Sequence, residues 1–211
     1  MTGERSEERA GGESSEMVFD DAALVQRTRK GDMRAFGMLV AKYQDRVFNL
    51  TLRMCPRHAE AEELAQETFL RALERIGQFR GNSSFYTWLF RIGANLTLSH
   101  RRRVGRVRFQ SLSGPEESGG TQADHLTSAM AAKRQMDPPT AAIAGETRRR
   151  ILEALEELDD DFRLVVLLRD VEEMNYDEIA QVTGLPLGTV KSRLHRARCL
   201  LKQSLADLMD V

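Results

Sequence analysis

The sequence predicts an all-α fold, built as two small helical domains joined by a flexible linker. Three observations carry this expectation. Apolar residues recur at helical spacing through residues 20–103 and again from about 141 to the C-terminus. The Val, Ile and Thr content is never arranged in alternating runs bounded by turn residues, as strands require. Between the two helical stretches lie SLSGPEESGG (111–120) and the Asp137, Pro138, Pro139 cluster, which have linker composition.

In chain order, residues 1–16 are Glu, Arg, Ser and Gly with almost nothing to bury, so a disordered extension is expected there. Met17 offers a second candidate start. Asp20 and Asp21 read as an N-cap before a helix over 22–30, and Gly31 and Asp32 punctuate and re-cap. Residues 33–54 carry Phe36, Leu39, Val40, Tyr43, Val47, Leu50 and Met54 at close to a 3.6 period, and Pro56 ends that helix. Further helices are expected over 59–76 and 87–103. The assignment is therefore an extension at 1–16, a first domain at 17–103, a linker at 104–140 and a second domain at 141–211.

Charge is informative by its distribution, not its sum. The 211 residues carry a formal net charge of -1. Residues 75–115 contain no carboxylate yet have arginines at 75, 80, 91, 101, 102, 103, 106 and 108, whereas carboxylates dominate 153–178 and cations return at 191–202. Such blocks imply local footprints for phosphate beside separate acidic surfaces. Cys55 and Cys199 are far apart without metal-ligand spacing, and the four histidines are scattered, so neither a metal site nor a disulfide framework is expected. No apolar run approaches the roughly 20 residues that span a bilayer. The N-terminus lacks the apolar core of a signal peptide, and a reduced, cytoplasmic setting is expected.

The segment from Tyr176 to Leu201 gives the strongest local signal: a short helix, a turn at Gly184 and a second, basic helix. A helix braced in this way can lie in the DNA major groove. At about 100° per residue, Leu187, Val190, Leu194, Ala197 and Leu201 share one stripe, with Lys191, Ser192, His195, Arg196 and Cys199 opposite. A basic amphipathic helix with a solvated face is the bland alternative. The segment FRGNSSFYTWLFRIGAN (79–95) interleaves aromatics, arginines and small polar residues, a composition suited to stacking on unpaired bases and to receiving an extruded base in the loop at 80–84. Core packing competes for the aromatics, Trp88 above all, and Asn82 or Ser83 could simply cap the next helix. Arg101, Arg102 and Arg103, with Arg106 and Arg108, suit phosphate. On the helix at 60–73, Leu64, Thr68 and Ala72 face inward while Glu62, Glu63, Gln66, Glu67 and Arg71 face outward, as a solvated face or a protein-docking face. No phosphate loop, nucleophile elbow or His–carboxylate pair is present, and Asp159, Asp160 and Asp161 suit a helix N-terminus, so no enzyme is expected.

The segments EELAQETF (62–69), FRGNSSFYTWL (79–89), YDEIA (176–180) and GTVKSR (188–193), in this order, resemble the extracytoplasmic-function (ECF) group of sigma-70-type RNA polymerase sigma factors, with a sigma-E-like middle segment. The resemblance implies sigma region 2 at 17–103 and sigma region 4, with its helix-turn-helix, at 141–211. It implies docking of Glu62, Glu63, Gln66, Glu67 and Leu70 on the beta-prime coiled coil of core RNA polymerase, while hydrophobic residues of region 4 meet the beta flap. It places a base flipped from the single-stranded minus-ten element at Arg80, Asn82, Ser83 and Ser84, with Tyr86, Arg91, Asn95, Arg101, Arg102 and Arg103 holding adjoining DNA. It gives the duplex minus-thirty-five element to Thr189, Lys191, Ser192, His195, Arg196 and Arg198. An anti-sigma factor, often membrane-bound, is the implied regulator, which would hold the chain at the inner membrane face. No cofactor, metal, small-molecule substrate or membrane insertion is implied. The N-terminal extension, Glu60 and Glu63 in place of frequent aspartates, and His195 at a variable position depart from the family pattern. A free-standing dimeric regulator of duplex DNA would explain 176–201 alone.

Overall fold

A computed structural model describes residues 20–55, 57–111 and 138–206. Among these there are eight α-helices and no strand: α1 Asp21–Arg29, α2 Met33–Met54, α3 His58–Arg75, α4 Phe85–Ser111, α5 Pro138–Glu157, α6 Asp160–Val166, α7 Tyr176–Thr183 and α8 Leu187–Ser204. A 3-10 turn, Ile76–Gln78, follows α3, and a π-helical turn, Leu167–Val171, continues α6. The expected extension at 1–16 and most of the expected linker lie outside the described residues.

The start of α2 is set by Asp32, whose carboxylate accepts hydrogen bonds from the backbone N–H groups of Arg34 and Ala35 at 3.0 and 3.2 Å. Arg27 donates to the same carboxyl group, and that hydrogen bond, ahead of the backbone donors, holds Asp32 below the ordinary carboxylate range. Asp20 occupies the N-cap of α1 but its side chain makes no capping bond. Asp21 turns instead toward α2, where Tyr43 donates to one oxygen and Lys42 pairs with the other at 2.6 Å. The α3 stripe packs as its spacing predicts, with Ala61, Leu64, Ala65, Thr68 and Ala72 buried.

Three boundaries differ from the sequence expectation. α4 begins at Phe85, because the Ser84 hydroxyl accepts from the Thr87 N–H at 3.0 Å and so caps the helix earlier. It also runs on to Ser111, through Gly105, since arginine-rich sequence supports a helix and the Gly114, Pro115 pair comes only later. α5 likewise begins at Pro138, where proline suits a first helical turn.

In the C-terminal unit a capping box starts α7: Asn175 accepts from the Glu178 N–H, and Glu178 accepts from the Asn175 N–H, both at 2.9 Å. Gly184 ends it in the left-handed region at φ 71°, its N–H donating to Ala180 O at 2.8 Å. Val190, Leu194 and Ala197 of α8 are buried in the same core.

The two units share one continuous apolar core, with α4 packed on α6 and α7, and α2 on α5 and α6. Arg163 of α6 is 1 % exposed and crosses this junction. Its guanidinium donates to Met54 O at 3.3 Å, to Leu158 O at 3.1 Å and to Glu156 O, capping carbonyls at the ends of α2 and α5.

Candidate nucleic-acid interface

On α8 the buried stripe fixes the opposite face in solvent. Lys191, Ser192, His195 and Arg196 are all exposed there, as is Cys199, whose sulfur lies 3.8 Å from His195 Nε2. Thr189 is half-buried, and its carbonyl accepts from the Ser192 hydroxyl at 3.0 Å. Arg198 is exposed but turned aside, pairing with Asp170 in a bond that raises its pKa. Neighbouring Arg193, which the sequence reading did not single out, pairs with Asp161 at 3.0 Å. The outward set is thus a compact patch of two cations, a hydroxyl and an imidazole, suited to phosphate and base edges.

The loop at 80–84 projects from the other unit. Gly81 takes φ 73°, a conformation that favours glycine, and this turns Arg80 and Asn82 into solvent. Ser83 donates to Ser84 O at 3.2 Å, and Ser84 is the residue that caps α4. Behind the loop, Phe79, Phe85 and Trp88 form one aromatic group, with Trp88 at 5.2 and 5.8 Å from the other two rings. Trp88 is half-buried: it packs against the core and also lines a groove of about 840 Å³ between α3 and α4. Arg71, Arg75, Arg91, Asn95 and Arg103 contribute the groove's polar edge. Three of the four arginines lie where cations beside an aromatic face can follow a single strand, while Arg71 already pairs with Glu67 at 2.6 Å.

Three of the residues expected at DNA have partners in the C-terminal unit. Tyr86 is half-buried and donates to Glu172 Oε2 at 2.7 Å; burial, reinforced by that carboxylate, pushes its phenol well above the ordinary value. Arg101 pairs with Asp160 at 2.9 Å and Arg102 reaches Asp161 at 3.9 Å. Tyr86 and Arg101 are half-buried at this junction, whereas Arg102 stays exposed beside α6. The acidic partners were missed because ion pairs between distant segments leave no periodic trace.

On α3, Glu62, Glu63 and Gln66 are exposed, Glu67 is half-buried, and Leu70 is 57 % exposed among them. A single exposed leucine among carboxylates is compatible with a solvated face and with a docking face alike.

The sigma-70 region 2 family model matches residues 39–107, and the sigma-70 region 4 model matches 148–201. The RNA polymerase sigma-H factor of Pseudomonas aeruginosa is 36% identical over 189 residues, covering 90% of this chain and 95% of that protein. The ECF RNA polymerase sigma-E factor of Salmonella typhimurium is 35% identical over 178 residues, covering 84% and 90%. This chain belongs to the ECF group of sigma-70-family sigma factors. Sigma factors are transcription initiation factors that work with core RNA polymerase and are not enzymes. In fold, the sigma factor is similar to the sigma factor RpoE in its complex with the anti-sigma factor NepR from Bartonella quintana, at a TM-score of 0.61, 24% identity, and coverage of 81% of this chain and 96% of that one. No described helix of the sigma factor is long and apolar enough to cross a membrane.

Proposed function

We propose that this sigma factor reads promoters at two places, with residues 17–103 as region 2, 141–211 as region 4 and 104–140 as the tether between them. Lys191, Ser192, His195 and Arg196 meet the minus-thirty-five duplex from the exposed face of α8. The loop at 80–84 takes a base of the minus-ten element, with Asn82 as the exposed amide that recognises it, and Arg91, Asn95 and Arg103 guide the neighbouring strand. Glu62, Glu63, Gln66, Glu67 and Leu70 dock on the beta-prime coiled coil. The observation that carries this reading is the pairing of two different cationic surfaces on one chain: an exposed basic helix face, suited to duplex, and an aromatic-backed groove beside an exposed loop, suited to single strand. A cytoplasmic setting and control by an anti-sigma factor, at the inner membrane face where that regulator is membrane-bound, belong to the same proposal.

Run-off transcription with purified core polymerase on genomic fragments tests it. Added protein should produce discrete, promoter-dependent starts. Protein that footprints a palindrome unaided, with no starts in the presence of core, would identify a free-standing regulator instead.

A further inference from the structure

Asp160 and Asp161, in the first turn of α6, sit between the two DNA-facing elements. Asp160 takes Arg101 of α4 at 2.9 Å. Asp161 takes Arg102 of α4 at 3.9 Å through one oxygen and Arg193 of α8 at 3.0 Å through the other. Two carboxylates therefore occupy three arginines drawn from both basic surfaces. We propose that Asp160 and Asp161 act as an internal substitute for DNA phosphate, so that the free chain, with its two units packed together, has low intrinsic affinity for DNA. This rests on the two-site reading of the promoter interface.

Geometry and exposure set how the device works. The apolar core holds α4 against α6 and α7, whereas the aspartates compete for cations. Arg102 and Asp161 are 63% and 41% exposed at their side chains, so this pair is screened by solvent and salt. Such a competitor suppresses stray binding by the free chain and is given up when polymerase draws the two units apart. Interleaved carboxylates on the same helices would have served solubility equally well. Only placement between the two arginine sets makes one acidic turn act on both.

The test measures binding of the full chain, without polymerase, to a labelled duplex of arbitrary sequence by fluorescence anisotropy across a salt series. Asp160→Asn with Asp161→Asn should bind about fivefold tighter at low salt, and its salt slope should steepen by up to about 2.7, since each of the three arginines freed for a phosphate adds about 0.9. Asp160→Ser with Asp161→Ser, which suits a first helical turn equally well, should behave alike and guards against a loss of helix start. Glu156→Gln with Glu173→Gln changes net charge by the same amount at exposed sites outside these pairs, and should leave the slope unchanged. Holoenzyme carrying the aspartate variants should bind a promoter within about twofold of wild type, because the competitor is already displaced there. Equal gains in the aspartate and control variants, an unchanged slope, or an equal gain in holoenzyme would each overturn the proposal. Wild-type holoenzyme that fails to initiate would instead overturn the promoter-reading function.

Discussion

Tyr86 and Glu172 lie 86 residues apart and meet in a 2.7 Å hydrogen bond across the junction of the two helical units. Arg46 completes the group: its Nε donates to the same Glu172 oxygen at 2.9 Å, its Nη2 donates to Glu172 O at 3.1 Å, and its guanidinium lies 4.4 Å from the Tyr86 ring centroid. Tyr43 stacks on Tyr86 at 5.6 Å. The Glu172 carboxylate is only 5% exposed, so its partners matter to the packing of the whole chain.

Removing the phenol should therefore weaken the junction. Tyr86→Phe is expected to lower unfolding free energy by about 1–2 kcal/mol, with Arg46→Met somewhat larger. Because both donors serve one oxygen, the double variant should depart from additivity by about 0.5–3 kcal/mol in urea unfolding. Strictly additive losses would mean that the three side chains do not act together.

Arg163 is the second fastening. Its guanidinium, whose pKa burial lowers, bridges carbonyls at the ends of α2 and α5. Arg163→Met should cost about 2–4 kcal/mol, as buried carbonyls lose their donors, and Arg163→Lys should restore only part because the three ammonium donors radiate from one nitrogen and cannot reach carbonyls now served by two guanidinium nitrogens. A loss below about 1 kcal/mol for the methionine variant would show that water replaces the guanidinium freely.

The two cysteines should separate cleanly. Burial, ahead of the nearby charges, pushes the Cys55 thiol from its ordinary 9.0 up to about 11, while Cys199 is exposed. A thiol reagent at mildly alkaline pH should label one cysteine in the native protein and the second only on unfolding. The folded pKa of Cys55 is raised, so the stability linked to its protonated form is complete below pH 9.0 and is lost as pH climbs through about 11. Cys55→Ala should accordingly show a shallower fall in melting temperature across that window than wild type. Identical slopes would contradict the burial of that thiol.

The two DNA surfaces should fail separately. Arg196→Ala is expected to lower holoenzyme affinity for its promoter by about 1–3 kcal/mol while core polymerase binding is unchanged in a pull-down. Asn82→Ala should slow open-complex formation, read by permanganate footprinting, with little effect on the first closed encounter. Equal defects in both steps for both variants would point to misfolding.

Local signals made much of this legible. Asp32 and Pro56 bracket α2 unambiguously, and the α8 stripe predicts its buried face at Val190, Leu194 and Ala197. Helical spacing alone puts Glu62, Glu63 and Gln66 outside on α3, and they are exposed there. What sequence could not give is the junction. Leu164 to Leu168 are buried without interruption, which erases any helical period over α6 and the π-helical turn. The partners of Tyr86, Arg101 and Arg102, which are Glu172, Asp160 and Asp161, are chosen by tertiary packing and lie far away in the chain. Leu187, expected on the α8 stripe, is 37% exposed because it stands in the first turn, beyond the reach of the core.

If α8 and the loop at 80–84 are two halves of one promoter reader, polymerase must fix the distance between them. The decisive measurement is transcription from a promoter found by the run-off assay and remade with about five base pairs inserted between its two elements, since half a helical turn moves one element to the opposite side of the duplex. Initiation should fall by an order of magnitude or more, while binding of the isolated chain to each element alone is unaltered. Initiation undiminished by the insertion would contradict the two-site reading.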